Sequence, residues 1–167
     1  PSLIEVTDKN ISLKDHPFFR DLWKSFKQYG LKTGLYVFHD TKLHGRTRRL
    51  SEVHNLQREL EEGWLFFGPH ALNPKTAPYD QTIDENITAL GTIYSELDRI
   101  AGPFICQSVR LHYHSECYEL ANFFRERGVT ELLTTDKPIG LHRFSKDFRT
   151  EMLKNGALSY NGFNFRR

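Results

Sequence analysis

The feature that most narrows the fold is a unit that recurs down the chain: apolar residues at helical spacing, then a glycine, then a short apolar run. Residues 15–30 carry a capping aspartate, a proline in the first turn and a terminal glycine, and 31–38 follows as a strand-like run. Residues 51–63, with Val53, Leu56 and Leu60 at helical positions, end at Gly63 and hand over to Trp64 and the run behind it. Thr82-Ile-Asp-Glu85 forms a capping box that opens a helix through Leu90, Ile93, Tyr94 and Leu97 to Gly102, ahead of a strand over 104–111. A fourth helix over 115–128 precedes a strand over 129–134.

Helices between successive apolar runs predict parallel crossovers. The expected fold is α/β, with parallel βα repeats forming a partial or distorted (β/α) barrel. A helix over 145–155 and a C-terminal β-hairpin should close the chain, because Asn161-Gly162 between apolar flanks is a type I′ turn signal. All 167 residues fit one domain, although a complete eight-stranded barrel takes about 250. The stop straight after the hairpin is the pattern of a truncated barrel or of a fragment.

Five runs end on a histidine or an aspartate. They are Leu3-Ile-Glu-Val-Thr-Asp8, Leu35-Tyr-Val-Phe-His39-Asp40, Trp64-Leu-Phe-Phe-Gly-Pro-His70, Ser108-Val-Arg-Leu-His112-Tyr-His114 and Leu132-Leu-Thr-Thr-Asp136. A parallel sheet gathers such ends on one side, where α/β folds bind ligands. His112 and His114 are two apart, so on a strand both would leave one face and reach one ion, and imidazole with carboxylate is a donor set for divalent metals. His70 and Asp136 stand at neighbouring ends, and Arg110 shares the face of His112. His39 and Asp40 are adjacent, so only one of them faces such a site. Glu116 is explained by the helix dipole, and His16, His44 and His54 are expected on the surface.

The net charge of +2, with both signs interspersed, argues against a nucleic-acid partner. Arg46-Thr-Arg48-Arg49 is the one local basic cluster, either solvated surface or a clamp for phosphate or carboxylate. No run of about 18 apolar residues is present, so no membrane span is expected. Cys106 and Cys117 make no disulfide framework and slightly favour a reducing, cytoplasmic setting. The chain lacks a Gly-x-Gly-x-x-Gly, a phosphate loop and a Gly-x-Ser-x-Gly elbow, which removes support for nicotinamide enzymes, phosphate-loop ATPases and serine hydrolases of the usual kinds.

The order of these strand ends, above all Trp64-Leu-Phe-Phe-Gly-Pro-His70-Ala-Leu-Asn-Pro74 and Val109-Arg-Leu-His-Tyr-His114, resembles the polysaccharide deacetylase-like family of distorted barrels. The resemblance spans roughly residues 31–136. It implies a metal-dependent hydrolase that removes an N- or O-acyl group from a carbohydrate. The implied metal ligands are His70, His112 and Asp136, around zinc first among the divalent ions; the implied catalytic residues are Asp8, His114 and Arg110. An acylated sugar is the implied partner. The family's paired aspartates are reduced here to Thr7-Asp8, and its second histidine is replaced by Pro74. Those departures sustain one alternative, a degenerate, non-catalytic carbohydrate-binding protein. The other is a metal-dependent barrel hydrolase of amidohydrolase or phosphoesterase type.

Overall fold

The computed structural model describes residues 2–135 and 143–167. Asp136 and His142 lie outside that range. Among the described residues, six α-helices and eight strands follow in the order α1 (Ser2–Lys9), α2 (Pro17–Tyr29), β1 (Thr33–Phe38), β2 (Asp40–Leu43), β3 (Arg46–Arg49), α3 (Gln57–Leu60), β4 (Leu65–Ala71), α4 (Ile83–Ala101), β5 (Ser108–Val109), α5 (Ala121–Arg125), β6 (Glu131–Leu133), α6 (Lys146–Asn155), β7 (Ala157–Tyr160) and β8 (Phe163–Arg166). Helix α4 begins and α2 ends on the expected signals, whereas Asp15, expected to cap α2, lies in a 3-10 turn over Leu13–Asp15 and His16 takes the N-cap position without a side-chain bond. Thr82 accepts from the Glu85 amide while Glu85 caps back, and Gly30 closes α2 in the left-handed region at φ 69°.

The expected barrel does not form. The described strands make sheets of two, two and four members, in the orders β1-β4, β2-β3 and β5-β6-β8-β7, and none closes on itself. β1 with β4, β5 with β6 and β6 with β8 run parallel, whereas β7 and β8 form an antiparallel hairpin. One reason is at the start of the chain: the run over 3–8 is helix α1, burying Leu3, Ile4 and Val6, so β1 gains no strand on its outer side among the described residues. Another is length. β5 holds two residues and β6 three, too little ladder to carry the continuous stagger that closure demands. An isolated parallel bridge, Phe67 to Ile105, joins β4 to the segment that leads into β5 and the four-stranded sheet.

Alternation gives the sheets two different faces. Val37, Leu65, Phe67, Val109 and Leu132 point into the core, where α4 lays down Leu90, Ile93, Leu97 and Ile100 at helical spacing. The other face carries Tyr36, Phe38, Gly68, His70, Ser108, Arg110 and Glu131, and most of these side chains keep some exposure. Gly68 sits there by necessity, because a Cβ would come within 2.9 Å of the Tyr36 ring.

A second hairpin, β2–β3, was not signalled by composition. Its turn, His44-Gly45, takes φ values of 49° and 78°, the type I′ geometry that fits two-residue hairpins. Helix α3 and helix α5 are each shorter than the helical spacing around them suggests, with single 3-10 turns at Leu50–Glu52 and Tyr118–Leu120 beside them.

Candidate functional site

The carboxyl ends of β4 and β5 bring His70 and His112 together, with His112 Nδ1 3.2 Å from His70 Nε2. Each ring's other nitrogen faces a backbone carbonyl. His70 Nδ1 lies 2.6 Å from the Arg110 oxygen, and His112 Nε2 lies 3.0 Å from the Pro74 oxygen. A carbonyl only accepts, so each of those nitrogens must carry the proton. In two neutral imidazoles the facing nitrogens then both present lone pairs. That arrangement repels unless a cation stands between them.

A neutral His70 leaves its Nε2 lone pair for a cation, either a metal ion or a proton carried on His112 Nδ1. Burial, above all, pushes its pKa down to about 4, and the neighbouring His112, Arg110 and His114 act in the same direction against the pull of the Arg110 carbonyl. Two imidazoles on one tetrahedral ion, at about 2.0–2.1 Å each, hold their nitrogens about 3.4 Å apart, close to the observed spacing. Carbonyls on the far nitrogens are the usual outer partners of metal-bound histidines, because they fix tautomer and ring orientation. The two imidazoles are the right donor type for a borderline divalent ion and one ligand fewer than the three of a catalytic zinc site. Among the described residues no group of three or more His, Cys, Asp or Glu side chains converges as a metal-binding cluster.

Phe38 holds both rings. Its centroid lies 4.8 Å from His70 and 4.9 Å from His112, each edge to face, at the register irregularity between Val37 and Phe38. Beside the pair, the Arg110 guanidinium donates to His114 Nε2 at 2.9 Å, and His114 Nδ1 donates to the Thr134 carbonyl at 3.3 Å. His114 thus stands next to the pair with its ring orientation set from both sides.

His112 and His114 do not leave a strand together. β5 ends at Val109, and residues His112–His114 form a 3-10 turn in which Tyr113 and His114 both take φ 54°. The turn carries His112 toward His70 and His114 toward Arg110. Asp8 lies on α1 rather than at a strand end and accepts a two-pronged ion pair from Arg48, at 2.7 and 2.8 Å, which holds its carboxyl below the usual range. That contact also takes Arg48 out of the basic cluster as a free cation. His39 Nδ1 lies 2.6 Å from Asp40 Oδ1, and alternation along β1 sends His39 to the face opposite His70.

Several residues have structural roles that their types did not announce. Glu116 is fully buried, and its Oε1 accepts from the Phe144 amide at 3.0 Å, so it ties a loop rather than complementing a helix dipole at the surface. His16 is buried as well, with Nε2 3.1 Å from Glu5. Cys106 and Cys117 are buried thiols pushed up to about 11 and about 12, which leaves them protonated and unreactive. Sequence reasoning missed Phe38 and the carbonyls of Arg110, Pro74 and Thr134; a carbonyl carries no residue-type signal.

Searches among protein-family models, curated proteins and solved structures found no match to this chain. No helix among the described residues is long and apolar enough to cross a membrane.

Proposed function

We propose that the protein is a metal-dependent hydrolase that removes an acyl group from a carbohydrate, with His70 and His112 holding the ion. The observation that carries this reading is the pair of facing lone pairs, each fixed by a carbonyl on the far side of its ring. A divalent ion, zinc first, would supply Lewis acidity to an acyl carbonyl and to an attacking water. The chain's own residues do the rest. The Arg110 guanidinium donates into the Nε2 lone pair of His114, so His114 holds that cation beside the pair, where its charge would suit a developing oxyanion. Tyr113, half exposed on the same turn, offers an aromatic surface of the kind on which sugar rings stack.

A non-catalytic carbohydrate-binding protein is the second reading, favoured by the engagement of Asp8 with Arg48, away from the pair. Metal analysis of the purified chain and an acetyl-release assay on acetylated sugars separate them. The hydrolase reading expects about one ion per chain, lost in His70→Ala and in His112→Ala, and release of acetate that disappears with the ion. Bound sugar without acetate release under zinc, manganese, nickel and cobalt alike would select the second reading.

A further inference from the structure

A groove of about 410 Å³ runs between the β2–β3 hairpin and the loop after β4, lined by Thr41, Lys42, Thr47, Asn73, Pro74 and Lys75. Its size falls within the range of small-ligand pockets, about 300–1,000 Å³. The chain builds it in two steps. The β1–β4 pairing continues past the strand ends, with the Asp40 amide donating to the Leu72 carbonyl at 2.7 Å, which brings the hairpin's root beside the loop. Asn73 then turns the loop back by accepting from the Lys75 amide at 2.9 Å.

The groove touches the histidine pair through one residue. Pro74 forms part of its wall, and the same residue's carbonyl holds His112 Nε2. Its electrostatics are lopsided. Lys42 and Lys75 are exposed, and neither has a carboxylate partner among the described residues. The lining carboxylate, Asp40, is already bound to His39 at 2.6 Å and faces Arg49 Nε at 3.9 Å. Two free ammoniums remain, together with the Thr41 and Thr47 hydroxyls and the Asn73 amide as partners for sugar hydroxyls.

We infer that this groove is a subsite for an anionic sugar unit, whose carboxylate or phosphate is met by Lys42 and Lys75 while the neighbouring unit lies at His70 and His112. The inference rests on the hydrolase reading for what happens at the pair, but the anion site itself stands on the groove.

The test uses the full chain stripped of metal, titrated calorimetrically at low salt with glucuronate, glucose 6-phosphate and glucose. A charged sugar should bind about tenfold more tightly than glucose, the effect expected of two partly exposed ion pairs, and should lose that advantage in Lys42→Gln/Lys75→Gln and in high salt. Stronger binding of glucuronate assigns a sugar acid, and stronger binding of the phosphate assigns a phosphosugar. Equal binding of charged and neutral sugars, no binding of any probe, or an unchanged double variant overturns the inference. Both lysines are exposed, so circular dichroism should show the variant folded. Metal loading is measured in parallel: a chain that binds the anion but never an ion sinks the hydrolase reading and leaves the subsite standing.

Discussion

If a cation belongs between His70 Nε2 and His112 Nδ1, adding one must stabilise the folded chain, and the size of that effect follows from the geometry. The two nitrogens are already 3.2 Å apart and both rings are held on their far sides, so binding needs little rearrangement. An ion that binds the native state alone, at a hundredfold excess over its Kd, contributes about 2.7 kcal/mol. In a chain of 167 residues each kcal/mol moves Tm by about 2–4 °C, so the apoprotein should gain about 5–11 °C on adding zinc. The assay is differential scanning calorimetry after chelation, with and without metal, for the wild type, His70→Ala, His112→Ala and the control His54→Ala. Each variant is compared with its own apo form, which cancels the cost of the substitution. A site weakened a hundredfold keeps RT ln 2 at the same metal concentration, about 0.4 kcal/mol, so the shift in either pair variant should drop below about 2 °C. His54→Ala should keep the full shift. A pair variant that shifts as far as the wild type would refute the lone-pair argument outright.

Three further outcomes are expected. Because the folded pKa of His70 is about 4 and its ordinary value is 6.5, the unfolded chain binds the extra proton between those limits; the metal-free protein should therefore gain stability as pH rises from about 4 to 6.5, by less than about 1.4 kcal/mol per unit given partial solvent screening, and urea melts of His70→Gln should lose that increment. Gly68→Ala drives a methyl group to 2.9 Å from the Tyr36 ring and should cost about 1–3 kcal/mol in a thermal melt; an unchanged Tm would mean the face is looser than its contacts indicate. Asp8→Asn should leave both metal loading and acetate release at wild-type levels, since that carboxylate serves Arg48, and a collapse of turnover with intact loading would return Asp8 to the site.

The parts of this molecule that sequence made legible are those where one local rule had no rival. The capping box and the 3.6-residue spacing in α4, the Pro17 and Gly30 punctuation of α2 and the Asn161-Gly162 turn are each decided within a few residues. The opening run was not, because four apolar-rich residues serve a helix as well as a strand; burial against the neighbouring elements decided for α1. β5 stopped short because Tyr113 and His114 adopt left-handed backbone, which no propensity of theirs demands. Of the candidate site, His70 stands near the end of β4 and Arg110 follows β5 as the strand-end reading expects, whereas His112 and His114 sit on a 3-10 turn beyond it. The histidine tautomers were not legible in sequence, since these depend on carbonyls that only the fold brings near.

The bridge between Phe67 and Ile105 marks a seam, and the histidine pair straddles it. His70 belongs to the two-stranded sheet, and His112 to the turn that leaves the four-stranded one. An ion joining them would link residues 42 positions apart in the native state and act as a removable cross-link there. Filling the site would then tie the two sheets together a second time, beyond the Phe67–Ile105 bridge.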